Sequence, residues 1–106
     1  MPAAPKLPAS IKVGHRDISI IGVDADELGN CYGDYTHSKG RIRLSDDLGH
    51  QHSAEILIHE ILHSIWPSHP GAADAEEHLV TDLAPRLAQV RRDNPQLEAW
   101  LNWALK

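Results

Sequence analysis

Apolar and polar residues follow one rhythm up to about residue 50 and another beyond it. In the first half, "IKV" and "DISIIGV" are short Ile/Val-rich runs separated by "GHRD", which predicts two strands and a hairpin connection. "DADELGN" reads as a loop, "CYGDYT" as a weaker strand and "HSKG" as a turn. "RIRLS" alternates Arg41 and Arg43 with Ile42 and Leu44, the period-two pattern of a sheet with one covered face.

Past residue 50 the period is helical. "HSAEILIHEILHSIW" contains neither Gly nor Pro, and Ile58, Ile61, Leu62 and Ile65 form a stripe at i, i+3, i+4, i+7. Ile56 and Leu57 widen that stripe, which predicts a largely buried helix. "PSHPG" ends it. A second helix is predicted through "DAEEHLVTDLAPRLAQVRRD", with Leu79, Val80, Leu83, Leu87 and Val90 as its core stripe and Pro85 as a kink or step. In "NPQLEAWLNWALK", Asn94 suits an N-cap and Pro95 the first helical position, with Trp100 and Trp103 packing this last helix onto the core. The predicted fold is α+β: a small N-terminal antiparallel or mixed sheet followed by three helices. Residues 1–10, with three prolines and no apolar run, read as a flexible arm, and 11–106 as one domain.

Charge and cysteine content narrow the function classes. A net charge of -5 with no long run of one sign gives no electrostatic case for nucleic acid or an anionic membrane. Arg91–Arg92 and the Arg41/Arg43 pair read as solvated faces. The single cysteine, Cys31, rules out an intrachain disulfide, fits a reducing compartment, and is expected to be half-buried. No segment has the length of a membrane-spanning helix, so the expectation is a small cytoplasmic protein.

The candidate chemistry lies in "HEILH". Residues i and i+4 of a helix share a face, so His59 and His63 can direct two imidazoles at one zinc ion. Glu60 follows the first of them, where a carboxylate can accept a proton from zinc-activated water without itself ligating. Two histidines and a glutamate with no partner would be costly in so apolar a helix, which favours a metal site over chance. Two side chains leave the set incomplete. His69 has the spacing of a third histidine in HExxHxxGxxH, but Trp66, followed by Pro67, occupies the glycine position, and the only methionine, Met1, cannot supply a Met-turn. The following helix offers Glu76 and Glu77, with Asp74 and His78 as weaker candidates. A helical wheel places Glu76 nearer the centre of the apolar stripe.

"HEILH" followed by "EEHLVTDLA" resembles the gluzincin metallopeptidases, above all the minigluzincins and the ImmA/IrrE-type proteins of phages and bacteria. The resemblance covers about residues 30–92 and includes "YGDYTHSKGRIRLS" upstream. In such families the ligand glutamate is followed by a small or apolar residue at +3, an apolar one at +6 and a small one at +7. Val80, Leu83 and Ala84 meet that pattern from Glu77 better than Leu79, Asp82 and Leu83 do from Glu76. The resemblance therefore implies zinc held by His59, His63 and Glu77, Glu60 as general base, and hydrolysis of a protein or peptide substrate. It also implies a strand beside the site, here "RIRLS", that pairs with extended substrate. Thr81, not aspartate, stands four residues after Glu77, so the partner of the first histidine is unassigned. Tyr32, Tyr35, His37, His69 and His78 are candidate transition-state stabilisers. A reading from another class is a metal-stabilised protein-binding module with little turnover, since a chain this short has little material for a walled cleft.

Overall fold

The computed structural model describes residues 4–66 and 75–106; within 75–80 it describes the backbone alone. Four strands precede three helices: β1 (Ser10–Val13), β2 (Arg16–Val23), β3 (Gly33–Thr36), β4 (Arg41–Ser45), α1 (His50–Ile65), α2 (Ala75–Asp93) and α3 (Pro95–Ala104). The α+β order predicted from the periodicities is thus present. A short 3-10 turn, Ala25–Leu28, sits between β2 and β3 and is opened by the Asp24 side chain accepting from Asp26 N–H.

β1 and β2 form the expected hairpin, with Ile11 opposite Ile18 and Val13 opposite Arg16. Gly14 takes φ 61° at the first position of its two-residue turn, which a side chain would resist. The sheet is mixed, in the order β1-β2-β4-β3. β4 runs parallel to β2 on one side and antiparallel to β3 on the other. "RIRLS" is therefore an interior strand whose backbone is paired on both sides, and the open edge on its side of the sheet belongs to β3. The assignment of "RIRLS" as a substrate-pairing strand is corrected on this ground. Upstream of the sheet, Leu7 packs against the core and Ala9 C=O accepts from Ile20 N–H.

Ile11, Val13, Ile18, Ile20, Ile42 and Leu44 cover one face of the sheet and meet Ala54, Leu57, Ile61 and Ile65 of α1. Val90, Leu97, Trp100 and Ala104 close the core from α2 and α3. The buried stripe of α1 is rotated from the predicted one: Ile58 and Leu62 are each 37% exposed, whereas Ala54 and Leu57 are fully buried. Gly33 explains the fit. A Cβ there would stand 2.8 Å from both Arg43 O and Ile56 Cγ2, so only glycine lets α1 lie this close over β3.

Three other expectations change. Cys31 is exposed, in the loop entering β3. Trp100 is buried, but Trp103 is 37% exposed and lies against the His50 ring. Asn94 precedes α3 without a side-chain cap; its amide joins α2 to β1, accepting from Lys12 N–H at 2.7 Å and donating to Lys12 C=O and Val90 C=O at 2.9 and 2.7 Å. Pro85 lies inside α2, which continues through it. Leu83 is partly buried against the core, Val90 is buried and Leu87 is exposed; Leu79 and Val80 lie outside the residues with described side chains. No described helix is long and apolar enough to cross a membrane.

Candidate metal centre

α1 is unbroken from His50 to Ile65 because apolar and long-chain residues fill it and the first proline comes at 67. His59 and His63 stand one turn apart on its exposed side, their ring centroids 4.8 Å apart at 69°. Their Nε2 atoms face each other at 3.2 Å. Two Zn–N bonds of about 2.0–2.1 Å at a tetrahedral angle would place their nitrogens roughly 3.3–3.4 Å apart. The pair thus fits one zinc ion through Nε2 on both rings with little rearrangement. Without metal, the same contact is a hydrogen bond if one ring carries its proton on Nε2 and the other does not.

Glu60 has a different environment. At about 100° per residue it is turned from the histidines toward the sheet, and it is only 6% exposed. Burial pushes its carboxyl above the usual carboxylate range; positive charge on His59 and His63 opposes that shift, and the Asp34 carboxylate adds to it. A cation held by the two imidazoles would act in the same sense as their own charge and favour the ionised, proton-accepting form.

Asp34 belongs to the edge strand β3, paired in register with Arg43 of β4. Arg43 Nε and Nη2 donate to Asp34 Oδ1 and Oδ2 at 2.9 and 2.5 Å, which holds the Asp34 carboxyl below its ordinary range. Neither its position nor its influence on Glu60 was evident in the sequence. The only available signal was the alternation of "RIRLS", which puts Arg43 on the outer face of the sheet.

Among the proposed stabilisers, Tyr32 lies edge-on to His52 at 4.7 Å, seven residues (about 10 Å of helix) before His59. Tyr35 lies on the helix-facing side of β3, opposite Ile42. Gly33 lies against Ile56, and Arg16, which donates to the Tyr35 hydroxyl, lines a cleft with Ser64 and Ile65, so β3 and the start of β2 both lie against α1. The Tyr35 hydroxyl is held by His37 Nδ1 at 2.8 Å and Arg16 Nη1 at 3.2 Å, and Arg16 Nη2 donates to His37 C=O at 2.6 Å. Arg16, absent from the sequence reading, thus anchors Tyr35 and His37.

Trp66 leaves α1 in extended backbone (φ −63°, ψ 133°), as a residue before proline should, and not in the left-handed turn of a glycine at that position. His69 and Asp74 lie outside the described residues. So do the side chains of Glu76, Glu77 and His78, although α2 begins at Ala75 and carries both glutamates in its first turn. The described contacts of α2 with α1 come from its later turns: Arg86 Nη1 donates to Ile65 C=O at 3.1 Å, and Leu87, Val90 and Arg91 lie beside Ile58, Ile61 and Leu62. Nine residues separate Glu77 from Arg86, about 13 Å along a straight helix, so the direction of α2 before Pro85 governs its reach toward the histidines. Among the described residues no third His, Cys, Asp or Glu joins the pair. No protein-family model matches the chain, and neither the curated proteins nor the solved structures gave a match.

Proposed function

We propose that this chain is a zinc-dependent metallopeptidase of minimal gluzincin type, with His59 and His63 holding the metal, Glu77 completing the set and Glu60 as general base. The observation that carries the reading is the 3.2 Å separation of the two exposed Nε2 atoms, with a buried carboxyl one residue after the first. A merely structural histidine pair gives no reason to bury a glutamate beside it. Zinc, when bound there, would supply Lewis acidity toward the scissile carbonyl and the attacking water. Glu60 takes the proton of that water on a carboxylate oxygen and passes it to the leaving nitrogen, so peptide and water become acid and amine. An extended peptide substrate pairs with the open edge of β3, whose backbone groups point away from β4 beside α1. Tyr35, whose hydroxyl is held by Arg16 and His37, is assigned the role of donating toward the carbonyl oxygen during attack. The protein works as a cytoplasmic enzyme of phage or bacterial origin.

A binding module that uses the same metal for stability is favoured by one observation: clefts of about 460 and 230 Å³ are lined by other residues than His59, Glu60 and His63. Glu60→Gln separates the two readings. The variant keeps the shape of the side chain and the zinc but loses the proton acceptor, so hydrolysis of a broad peptide library, read by mass spectrometry against chelated controls, is expected to fall by about 10²–10⁴-fold. Equal cleavage by parent and variant would refute the mechanism. If neither cleaves while both bind the same partner, the binding module stands.

A further inference from the structure

The larger cleft, about 460 Å³, lies below the C-terminal end of α1. His15 and Arg16 of the β1–β2 hairpin, Ser64 and Ile65 of α1, and Arg86 and Gln89 of α2 line it. None of its described lining residues is Asp or Glu, in a chain of net charge -5. Of the acids nearest in sequence, Asp17 pairs with Lys12 at 2.5 Å and Asp93 with Arg92 at 2.9 Å and Gln89 at 3.0 Å, while Asp82, four residues before Arg86, neither lines the cleft nor forms a described ion pair with Arg86. The four described ion pairs leave Arg16, Arg41 and Arg86 without a carboxylate among the described residues, and two of these three arginines line this one cleft.

The donors can be accounted for individually. Gln89 has both amide hydrogens engaged, on Lys12 C=O and Asp93, and its oxygen accepts from Gly14 N–H. Arg16 uses Nη1 and Nη2 on Tyr35 and His37 and keeps Nε. Arg86 is tied to the end of α1 by Nη1 alone, which orients its guanidinium and leaves the Nε/Nη2 side unused among the described residues. That side is the same two-pronged edge by which Arg43 grips Asp34 in this molecule. The volume exceeds that of a bare ion, and Val13, Ile65 and Pro85 supply apolar wall.

We propose that this cleft binds the carboxylate of a peptide, an acidic side chain or a free C-terminus, through the Nε/Nη2 edge of Arg86 with Arg16 and His15 supporting the negative charge. The site shares Arg16 with the Tyr35–His37 cluster but includes none of His59, Glu60 and His63, and it stands whether or not the chain is a peptidase. The test is titration of the isotope-labelled full chain, followed by amide NMR in the presence of chelator. The three probes are N-acetylglutamate α-amide, N-acetylalanine and, as neutral control, N-acetylglutamine α-amide. At least one carboxylate probe shifts the Gly14, Ser64 and Arg86 signals, and the probe that does so names the source; the neutral amide leaves them unmoved. Arg86→Gln lowers the affinity by about ten- to a hundredfold, as expected for a charged hydrogen-bonded pair. Arg86→Lys keeps the charge and the reach to Ile65 but still weakens binding, because the paired donors are gone. His63→Ala leaves the affinity unchanged. Equal shifts with the neutral amide, no shift with either carboxylate, or unchanged affinity in a folded Arg86→Gln protein would overturn the proposal; if Arg86→Gln does not fold, Arg86→Lys binding as tightly as the parent does so.

Discussion

Asn94→Ala should be among the most damaging single truncations of a polar side chain in this protein. Asn94 is 5% exposed and makes three hydrogen bonds, two of them to Lys12 in β1, 82 residues earlier. β1 is an edge strand, so peptide groups that face away from β2 need a partner from elsewhere, and the Asn94 amide supplies both halves for Lys12. After truncation, Lys12 C=O keeps Gln89 Nε2 at 3.1 Å, but Lys12 N–H loses its acceptor. A part-buried donor left without a partner costs up to about 1–3 kcal/mol, and the two lost donations about 0.5–1.5 kcal/mol each before compensation. The expected loss is therefore about 2–4 kcal/mol, a large share of the roughly 5–15 kcal/mol available to a domain. Urea unfolding followed by tryptophan fluorescence, with Trp100 buried in α3 as reporter, should show the midpoint falling by about 1–2 M. The measurement belongs on chelated protein, because bound metal would add its own linkage term. Asn94→Asp should be no milder at neutral pH, since it turns both donations into a carboxylate facing the Lys12 and Val90 carbonyls. Gln89→Ala, at a more exposed site, should cost under about 1 kcal/mol. An Asn94→Ala protein within about 0.5 kcal/mol of the parent would refute the assignment of this amide as the clamp between α2 and the sheet.

The metal set makes a second prediction: one zinc per chain, with Glu77→Ala weakening binding far more than His69→Ala, measured by competition with a chromophoric chelator. If His69→Ala strips the metal and Glu77→Ala keeps it, the gluzincin assignment fails. Chelation should lower the melting temperature without abolishing the transition, because zinc would join two helices while the sheet and α3 retain their own burial; an unchanged melting curve after verified removal counts against the site. Asp34 has a folded pKa below its ordinary 3.8, so the folded state binds fewer protons and the Asp34–Arg43 contribution is present above that value and lost as pH falls through the folded pKa. Asp34→Asn should therefore flatten the loss of stability between about pH 5 and pH 2, by under about 1 kcal/mol since the pair is partly solvated; a slope identical to the parent's would remove Asp34 as its source.

What could be read directly from the chain is what a single element determines by itself. The alternation of "RIRLS" gives Ile42 and Leu44 one face and Arg41 and Arg43 the other, whichever strands lie alongside. The four-residue spacing of His59 and His63 puts two imidazoles within reach of one ion, since both angle and rise are internal to α1. What needed the tertiary structure are relations between elements. A helical period does not say which angle faces the sheet: apolar residues nearly surround α1, and the close approach allowed by Gly33 selects Ala54, Leu57, Ile61 and Ile65 while leaving Ile58 and Leu62 half outside. The same rotation buries Glu60 and exposes the histidines beside it. Strand order is likewise invisible in any one strand, so β4 reads locally as a plausible edge and becomes interior only because β3 folds back outside it. Asn94 looks like a cap because it precedes Pro95, yet its hydrogen bonds go to Lys12. Arg16 meets Tyr35 and His37 only when the hairpin and the sheet's far edge converge at the end of α1. Local geometry sets the periods, and long-range packing decides which of the faces they create meets which neighbour.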